Sequence, residues 1–258
     1  MNRKIFTVKN LLSAVGIIFL LGSCQKLQDY IYHPGNTDYK YCNIKKLTAY
    51  NEYTAGNIDT VTYNFSYNAA GNPVSITGSN PGTGNPDFKF IYDNKNHLIQ
   101  CLRSYRGAVN YERWDKYGYN DKWQIVADTQ YVFGSITGGV PQITSRAAFF
   151  KYQYDTENRI IHETVSSLNN NTISIIAEND FVYNSNGNLV KGVTVYDNKL
   201  SIYRTNAVLM FITKDYSVNN AFTAAQYNEN GLPLRFPVNN FALINSAHGN
   251  MRADYACH

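Results

Sequence analysis

The chain is poor in charge, and the charge it has is nearly balanced: 23 Lys and Arg against 19 Asp and Glu in 258 residues. Three of the basic residues, Arg3, Lys4 and Lys9, stand at the very start. Without residues 1–23, which hold no acidic residue, the formal charge falls from +4 to +1. That balance makes no electrostatic case for nucleic acid or for an anionic membrane surface. Histidine is scarce too, and His33, His97, His162, His248 and His258 show no metal-binding spacing. There is no Cys-x-x-Cys, no Gly-x-Ser-x-Gly elbow and no phosphate-cradling glycine loop. Several of the few carboxylates (Asp93, Asp155, Glu157, Glu229) fall in turn-type segments. The chain therefore reads as a non-enzyme that takes no metal and no cofactor. Long apolar runs are missing as well: past Leu21, no stretch approaches the roughly 20 residues that a membrane-spanning helix needs.

What is present begins at the N-terminus. Residues 11–21 (LLSAVGIIFLL) form an apolar stretch behind the basic start. It is too short to span a bilayer and fits the hydrophobic region of a signal peptide. Leu21, Gly22, Ser23 and Cys24 follow. This tetrapeptide resembles the lipobox of bacterial lipoproteins. The resemblance implies cleavage before Cys24, lipid on its thiol and acylation of the new amine. Two or more chains anchor a protein stably where one does not. The partner this implies is the outer membrane of a cell envelope. The lack of an acidic run just after Cys24 favours its periplasmic face. Residues 24–40 read as a lipidated tether interrupted by Pro34 and Gly35, with a reach of roughly 50 Å if extended. Residues 41–258 carry no internal linker and read as one domain.

Six segments of that domain repeat one pattern: an aromatic or small residue, any residue, Tyr, Asn or Asp, three turn-type positions, a polar residue and then apolar ones. They are 65–74 (FSYNAAGNPV), 90–99 (FIYDNKNHLI), 117–126 (YGYNDKWQIV), 152–161 (YQYDTENRII), 181–190 (FVYNSNGNLV) and 225–234 (AQYNENGLPL). Asn or Asp after the Tyr starts a turn by bonding backbone two residues on. Gly or Asn three places later accepts positive φ. Trp123 occupies that place in the third segment, which predicts a different turn there. Each unit thus reads as strand, tight turn, strand. Connectors such as 78–86 (GSNPGTGNP) and 134–141 (GSITGGVP) join them at the other end. The expected fold is all-β, a long antiparallel up-and-down meander of about 12–15 strands. A sheet that long curls, closes or splits, so it is expected to be curved or closed like a barrel. Residues 206–213 (NAVLMFIT) are expected to form a short buried helix, with a buried strand as the alternative.

The repeat resembles the YD-repeat segments of Rhs-type proteins, although Arg159 alone matches their usual Gly-Arg after the turn. The chain also resembles a family of lipoproteins, largely from Bacteroidota, built from such degenerate hairpins. The shared landmarks are 42–47 (CNIKKL), 209–212 (LMFI), 217–220 (SVNN), the last hairpin at Tyr227 and 255–257 (YAC), which together span residues 40–258. This resemblance implies a porin-like curved meander or barrel and names no activity.

With Cys24 assigned to lipid, Cys42, Cys101 and Cys257 remain. Cys42 opens the first strand and Cys257 closes the last. If the meander curls until its ends meet, these two can pair, which an oxidising compartment permits. Cys101 reads as a buried thiol. Tyrosine is the compositional outlier, 22 of 258 residues. The six repeat tyrosines read as cross-strand structural residues. Tyr105, Tyr111, Trp114 and Tyr131 lie outside the repeat and are the candidate binding surface, since such rings combine a stacking face with a polar tip. The expected function is non-enzymatic binding of a glycan or an envelope protein. The alternatives are an interaction scaffold of outer-membrane assemblies, or a lipid carrier if the sheet encloses an apolar cavity.

Overall fold

The computed structural model describes residues 42–51, 60–105, 107, 109–144, 147–169, 172–190, 195–238, 242–244 and 248–257. The signal peptide, the tether and Cys24 lie outside them. Fourteen strands occur among the described residues. They are β1 (Cys42–Tyr50), β2 (Thr60–Tyr67), β3 (Pro73–Gly78), β4 (Asp87–Tyr92), β5 (Leu98–Ser104), β6 (Asn110–Tyr119) and β7 (Ile125–Thr137). Then follow β8 (Val140–Pro141), β9 (Ala147–Tyr154), β10 (Ile160–Asn169), β11 (Thr172–Asp180), β12 (Gln226–Tyr227), β13 (Pro233–Pro237) and β14 (Asn250–Cys257). A 3-10 turn (Ile202–Thr205) and one helix, α1 (Ala207–Thr213), separate β11 from β12.

All strand pairs are antiparallel, in the order β11-β10-β9-β7-β6-β5-β4-β3-β2-β1-β14-β13-β12, with β8 beside β7. The up-and-down meander is as expected, and it is open: β11 and β12 are its two ends. One departure from strict sequence order makes the fold. After β11 the chain crosses to the far side of β1, so that its last strand pairs with its first and Cys257 faces Cys42. The two cysteines form a disulfide across 215 residues of separation, and Asn230 Nδ2 lies 3.4 and 3.5 Å from the two sulfurs.

The turns explain the repeat. In all six units the Asn or Asp carboxamide or carboxylate (Asn68, Asp93, Asn120, Asp155, Asn184, Asn228) accepts from the backbone N–H groups two and four residues on, at 2.8–3.0 Å. The residue three places on has positive φ each time: Gly71, Asn96, Trp123, Asn158, Gly187 and Gly231. Trp123 corrects the expectation of a different third turn. It adopts φ 58°, and its ring stacks on His97 of the preceding hairpin, with centroids 4.1 Å apart. A stacked aromatic pair contributes about 0.5–1.5 kcal/mol beyond area burial, enough to offset much of the 1–2 kcal/mol typical of a left-handed residue with a side chain.

Each repeat tyrosine on a paired strand sits at a bulge. Tyr67 faces Pro73 while Ser66 faces Ser75, and Tyr92, Tyr119, Tyr154 and Tyr227 repeat the offset. A bulge disrupts the ladder locally. The next unit supplies a donor to the carbonyl at that place. Tyr92 donates to Pro73 O (2.6 Å), Tyr119 to Leu98 O (2.9 Å) and Tyr154 to Ile125 O (2.8 Å). Tyr67 continues the series to Ile44 O in β1, and Tyr255 in β14 to Pro233 O, both at 2.8 Å. Burial pushes the Tyr92 and Tyr154 phenols up, so they remain donors. The fifth unit departs from this series: Tyr183 and Leu189 make an isolated bridge, and Leu189 O takes the hydroxyl of Tyr196.

One face of the sheet packs on α1. Thirteen strands laid flat would span about 58 Å, whereas a seven-residue helix is about 10 Å long. Yet Phe211 meets Tyr117 of β6 and Tyr152 of β9 edge-on, at 5.2 and 5.7 Å. Asn206, which caps α1 by accepting from Val208 N–H, also donates to Gly71 O in the β2–β3 turn. The sheet therefore curves around the helix. A single core joins Leu209, Met210 and Phe211 to Ile44, Leu47, Ile76, Phe90, Ile160 and Met251.

Reduction, or Cys42→Ser with Cys257→Ser, is expected to cost up to about 5 kcal/mol of stability by loop entropy, read as a lower guanidinium midpoint. Asn120→Ala strips the acceptor from two backbone N–H groups and should cost about 1–3 kcal/mol, while Tyr119→Phe should cost about 1 kcal/mol. A midpoint unchanged by Asn120→Ala would show that the turn holds without its side chain.

Candidate functional site

The rule that puts Tyr117 against α1 also turns Asp115 and Arg113 inward, since alternate residues of a strand share a face. Asp115 is wholly buried. Arg113 Nε donates to its two oxygens at 2.7 and 3.0 Å, Gln130 Nε2 donates to Oδ1 at 3.2 Å, and Arg103 Nε lies 4.0 Å away. On β7, Asp128 faces Tyr117 on one side and Phe150 on the other. It is 2 % exposed. Tyr152 donates to its Oδ2 at 3.4 Å, and Oδ1 has no hydrogen-bond partner among the described residues. Glu163 on β10 faces Tyr152 and accepts from Asn179 Nδ2 at 3.0 Å.

Lys214 closes this cluster from the helix side. It ends α1 in a left-handed conformation, φ 54°. Its ammonium lies 3.6 Å from the Phe211 ring centroid and 4.3 Å from that of Tyr152. Three carboxylates thus share the interior with Arg103, Arg113 and Lys214. Burial, then the neighbouring Asp115, pushes Asp128 up to about 7, against the pull of Arg113 and Lys214. Burial draws Lys214 down to about 8, against Asp128 and Glu163. What the arrangement does chemically is hold a proton near neutrality inside the core. Sealed from solvent, Asp128 does not meet a polymeric substrate. Cys101, also buried, is pushed by that burial to about 12, which keeps it a thiol. Among the described residues no group of three or more His, Cys, Asp and Glu is placed to hold a metal ion.

The aromatic candidates fall otherwise. Tyr111 and Trp114 are buried, 1 % and 6 % exposed, and this corrects their reading as a binding surface. They form a second core with Leu102, flanked by Tyr131 and Ile136. The register of β6 against β5 skips Glu112 between Tyr111 and Arg113, which brings Tyr111 to the face of Trp114. Tyr111 lies across Gly134, where an added Cβ would come within 2.2 Å of its hydroxyl, and it donates to Gln142 O at 2.6 Å. Trp114 donates to Gln100 Oε1 at 2.8 Å, and the Tyr131 ring packs 5.3 Å from Trp114. Tyr105, half-buried, donates to Glu112 Oε2 at 2.9 Å and lies 3.3 Å from Thr83 Oγ1. All four rings are engaged in structure.

Several exposed apolar residues lie in segments next to that second core. Val109, Phe133, Val140 and Ile143 are 59–68 % exposed. Ile136 N–H bonds Val109 O, Thr137 pairs with Val140, and Gln142 N–H bonds Ser135 O. These contacts bring the four residues to one end of β6, β7 and β8. Phe133 holds φ 52° there. The signal in the sequence was apolar residues inside a glycine-rich connector, which reads as turn composition alone.

No known protein family matches the chain, and no curated protein does. Among solved structures it is similar to a porin-like protein from Bacteroides uniformis ATCC 8492, with TM-score 0.39, 10 % identity, and 83 % of this chain and 98 % of that one covered. It is also similar to TcdB2-TccC3-TEV, with TM-score 0.27, 15 % identity and 80 % of this chain. TcdB2-TccC3 without its hypervariable C-terminal region gives TM-score 0.28, 15 % identity and 76 % of this chain. The chain spans only 10 % and 9 % of those two.

The cluster makes stability depend on pH. Folded Asp128 keeps its proton to about pH 7, whereas an unfolded carboxyl releases it near 4, roughly. Stability is therefore fullest below that lower value and declines as pH rises toward 7. Lys214 acts in the opposite sense: between about 8 and 10.5 the unfolded lysine binds a proton that the folded one has lost, so stability recovers with rising pH. Asp128→Asn should flatten the first slope, which is on the order of 1 kcal/mol per pH unit. Unfolding midpoints of the two proteins that run parallel from pH 4 to 8 would exclude this.

Proposed function

We propose that the chain is a non-enzymatic lipoprotein of the cell envelope, anchored through Cys24 at the periplasmic face of the outer membrane, that binds another envelope protein. The observation that carries the binding reading is the apolar end formed by Val109, Phe133, Val140 and Ile143. Contiguous exposed apolar groups mark interaction sites. The four lie at the end of the sheet that carries the Leu102, Tyr111 and Trp114 core, so the end is held in shape before a partner arrives, which lowers the entropy cost of binding. A protein suits it better than a glycan, because Tyr111 and Trp114 are buried and the exposed groups here are mostly aliphatic. Lipid carriage required an apolar cavity, and the apolar interior is filled by Leu209, Met210 and Phe211 of α1.

Two measurements test the reading separately. Fatty-acid labelling and membrane fractionation should both be lost with Cys24→Ala; persistence of either removes the anchor. A photo-crosslinking residue at position 133 in intact cells should give one discrete protein adduct, weakened about tenfold or more by Ile143→Asp. Labelling of glycan with no protein adduct would replace the proposed partner.

A further inference from the structure

The sheet has two ends, and they are unlike. β12 is two residues long. β11 has nine residues, TISIIAEND, and all nine are exposed. Among the described residues it pairs on one side alone, with β10. Phe181 N–H bonds Ile161 O just beyond it, so the ladder alternates along β11 and leaves every second residue's N–H and C=O turned away from β10. Ile173, Ile175 and Ile176 are 62 %, 63 % and 60 % exposed. Natural edges are blunted by shortness, charged side chains, proline, bulges, inward charge or a covering element. β11 is long and has no lysine and no proline; its charges, Glu178 and Asp180, stand at one end, and its one bulge is at Ile176.

We propose that β11 is a self-association edge, at which two copies of this chain pair β11 against β11, antiparallel about a two-fold axis near Ile175 and Ile176. The partner is fixed by what each chain offers. A strand of nine residues needs a strand of similar length to satisfy its outward groups, and β12 and β8 offer two residues each. Pairing of β11 with the other end of a second sheet, which would propagate into fibres, therefore has no template. Pairing with the same edge closes, because an isologous contact consumes both free edges at once. Charge selects the direction. A parallel pair would set Glu178 beside Glu178 and Asp180 beside Asp180, which is unfavourable across strands. Antiparallel pairing about Ile175 and Ile176 sets Glu178 opposite Ile173, Asn179 opposite Thr172 and Ala177 opposite Ser174. The isoleucines of the two copies then cover one another on the joined sheet. The inference is independent of the partner proposed for the β6–β8 end, which involves none of these residues.

The test is sedimentation of the full-length chain in detergent over a range of concentrations, with oxidative crosslinking of added cysteines. A monomer–dimer equilibrium is expected, and Ile175→Lys, at a position already exposed, should weaken the dimer about tenfold or more. Ile175→Cys should crosslink to itself, and Thr172→Cys, some seven residues out of register with its own copy and so roughly 24 Å away, should not. A chain monomeric at every concentration overturns the proposal. So does a dimer indifferent to Ile175→Lys, equal crosslinking at both positions, or assembly beyond two copies. The fold of each variant is checked by its unfolding midpoint, which should match the parent's.

Discussion

A carbonyl at a strand bulge needs a donor, and the spacing of this fold follows from that need. Five of the six repeat hairpins end in a bulge, and five carbonyls at bulged or adjoining positions take a tyrosine hydroxyl from a neighbouring strand. The consequence is a rule linking one unit to the next. A tyrosine must sit on the strand next to the carbonyl it serves, whatever the connector between the two strands does. That is why the repeat keeps its ten-residue motif while the connectors vary freely. The individual bonds are modest, about 1 kcal/mol each, but each also ties the orientation of one hairpin to its neighbour. Tyr255 extends the rule to the last strand, and the Cys42–Cys257 disulfide fixes that strand beside the first.

A sheet built by such a rule has no intrinsic end, and the crossing segment supplies one. After β11 the chain leaves the ladder, and α1 fills the curve of the sheet. The helix is too short to hold itself, since isolated helices of this length are marginal; burial of Leu209, Met210 and Phe211 stabilises it. Its C-terminus brings Lys214 over inward-facing Tyr152, near Asp128. Burying charges is costly even when they are paired, and Asp128 answers that cost by holding a proton. The interior charge cluster is thus a by-product of strand alternation meeting the helix end, tuned by protonation rather than by perfect pairing.

The hairpins were legible because their signal is local. An Asn or Asp, a left-handed position three residues on and a tyrosine before it specify a turn within ten residues. Trp123 shows the limit of residue preference: the turn tolerated a costly residue because His97, 26 positions earlier, stacks on it. The hydroxyls of Tyr196 and Tyr255 take the repeat's role without its full motif, so the repeat pattern does not mark them. The buried cluster was readable in part, since Arg113 and Asp115 share the parity of Tyr117, but Lys214 reaches it from a distant element. The four aromatic candidates misled for a related reason. Composition marks where rings are; a one-residue skip at Glu112 decides which way Tyr111 faces.

The bonding that orders the turn end of the sheet also bears on where the proposed partner would sit. At the turns, side-chain amides, carboxylates and hydroxyls are committed to backbone partners. Two neighbouring turns are also tied to one another where Gln124 Nε2 donates to Asn158 Oδ1 at 2.7 Å. A surface so committed has little freedom to vary without loss of fold. The connectors repeat no such motif, although single bonds hold them, as when Asp87 accepts from Gly78 N–H and Glu112 from Gly84 N–H. It is among them that a strained, exposed Phe133 persists, at a conformation that costs on the order of 1–3 kcal/mol and survives where the surroundings over-determine it. Its neighbour Gly134 lies against the ring of buried Tyr111. A repeat that spends its polar side chains on holding itself together leaves apolar connector residues, and the strand at its open edge, as the groups free to meet something else.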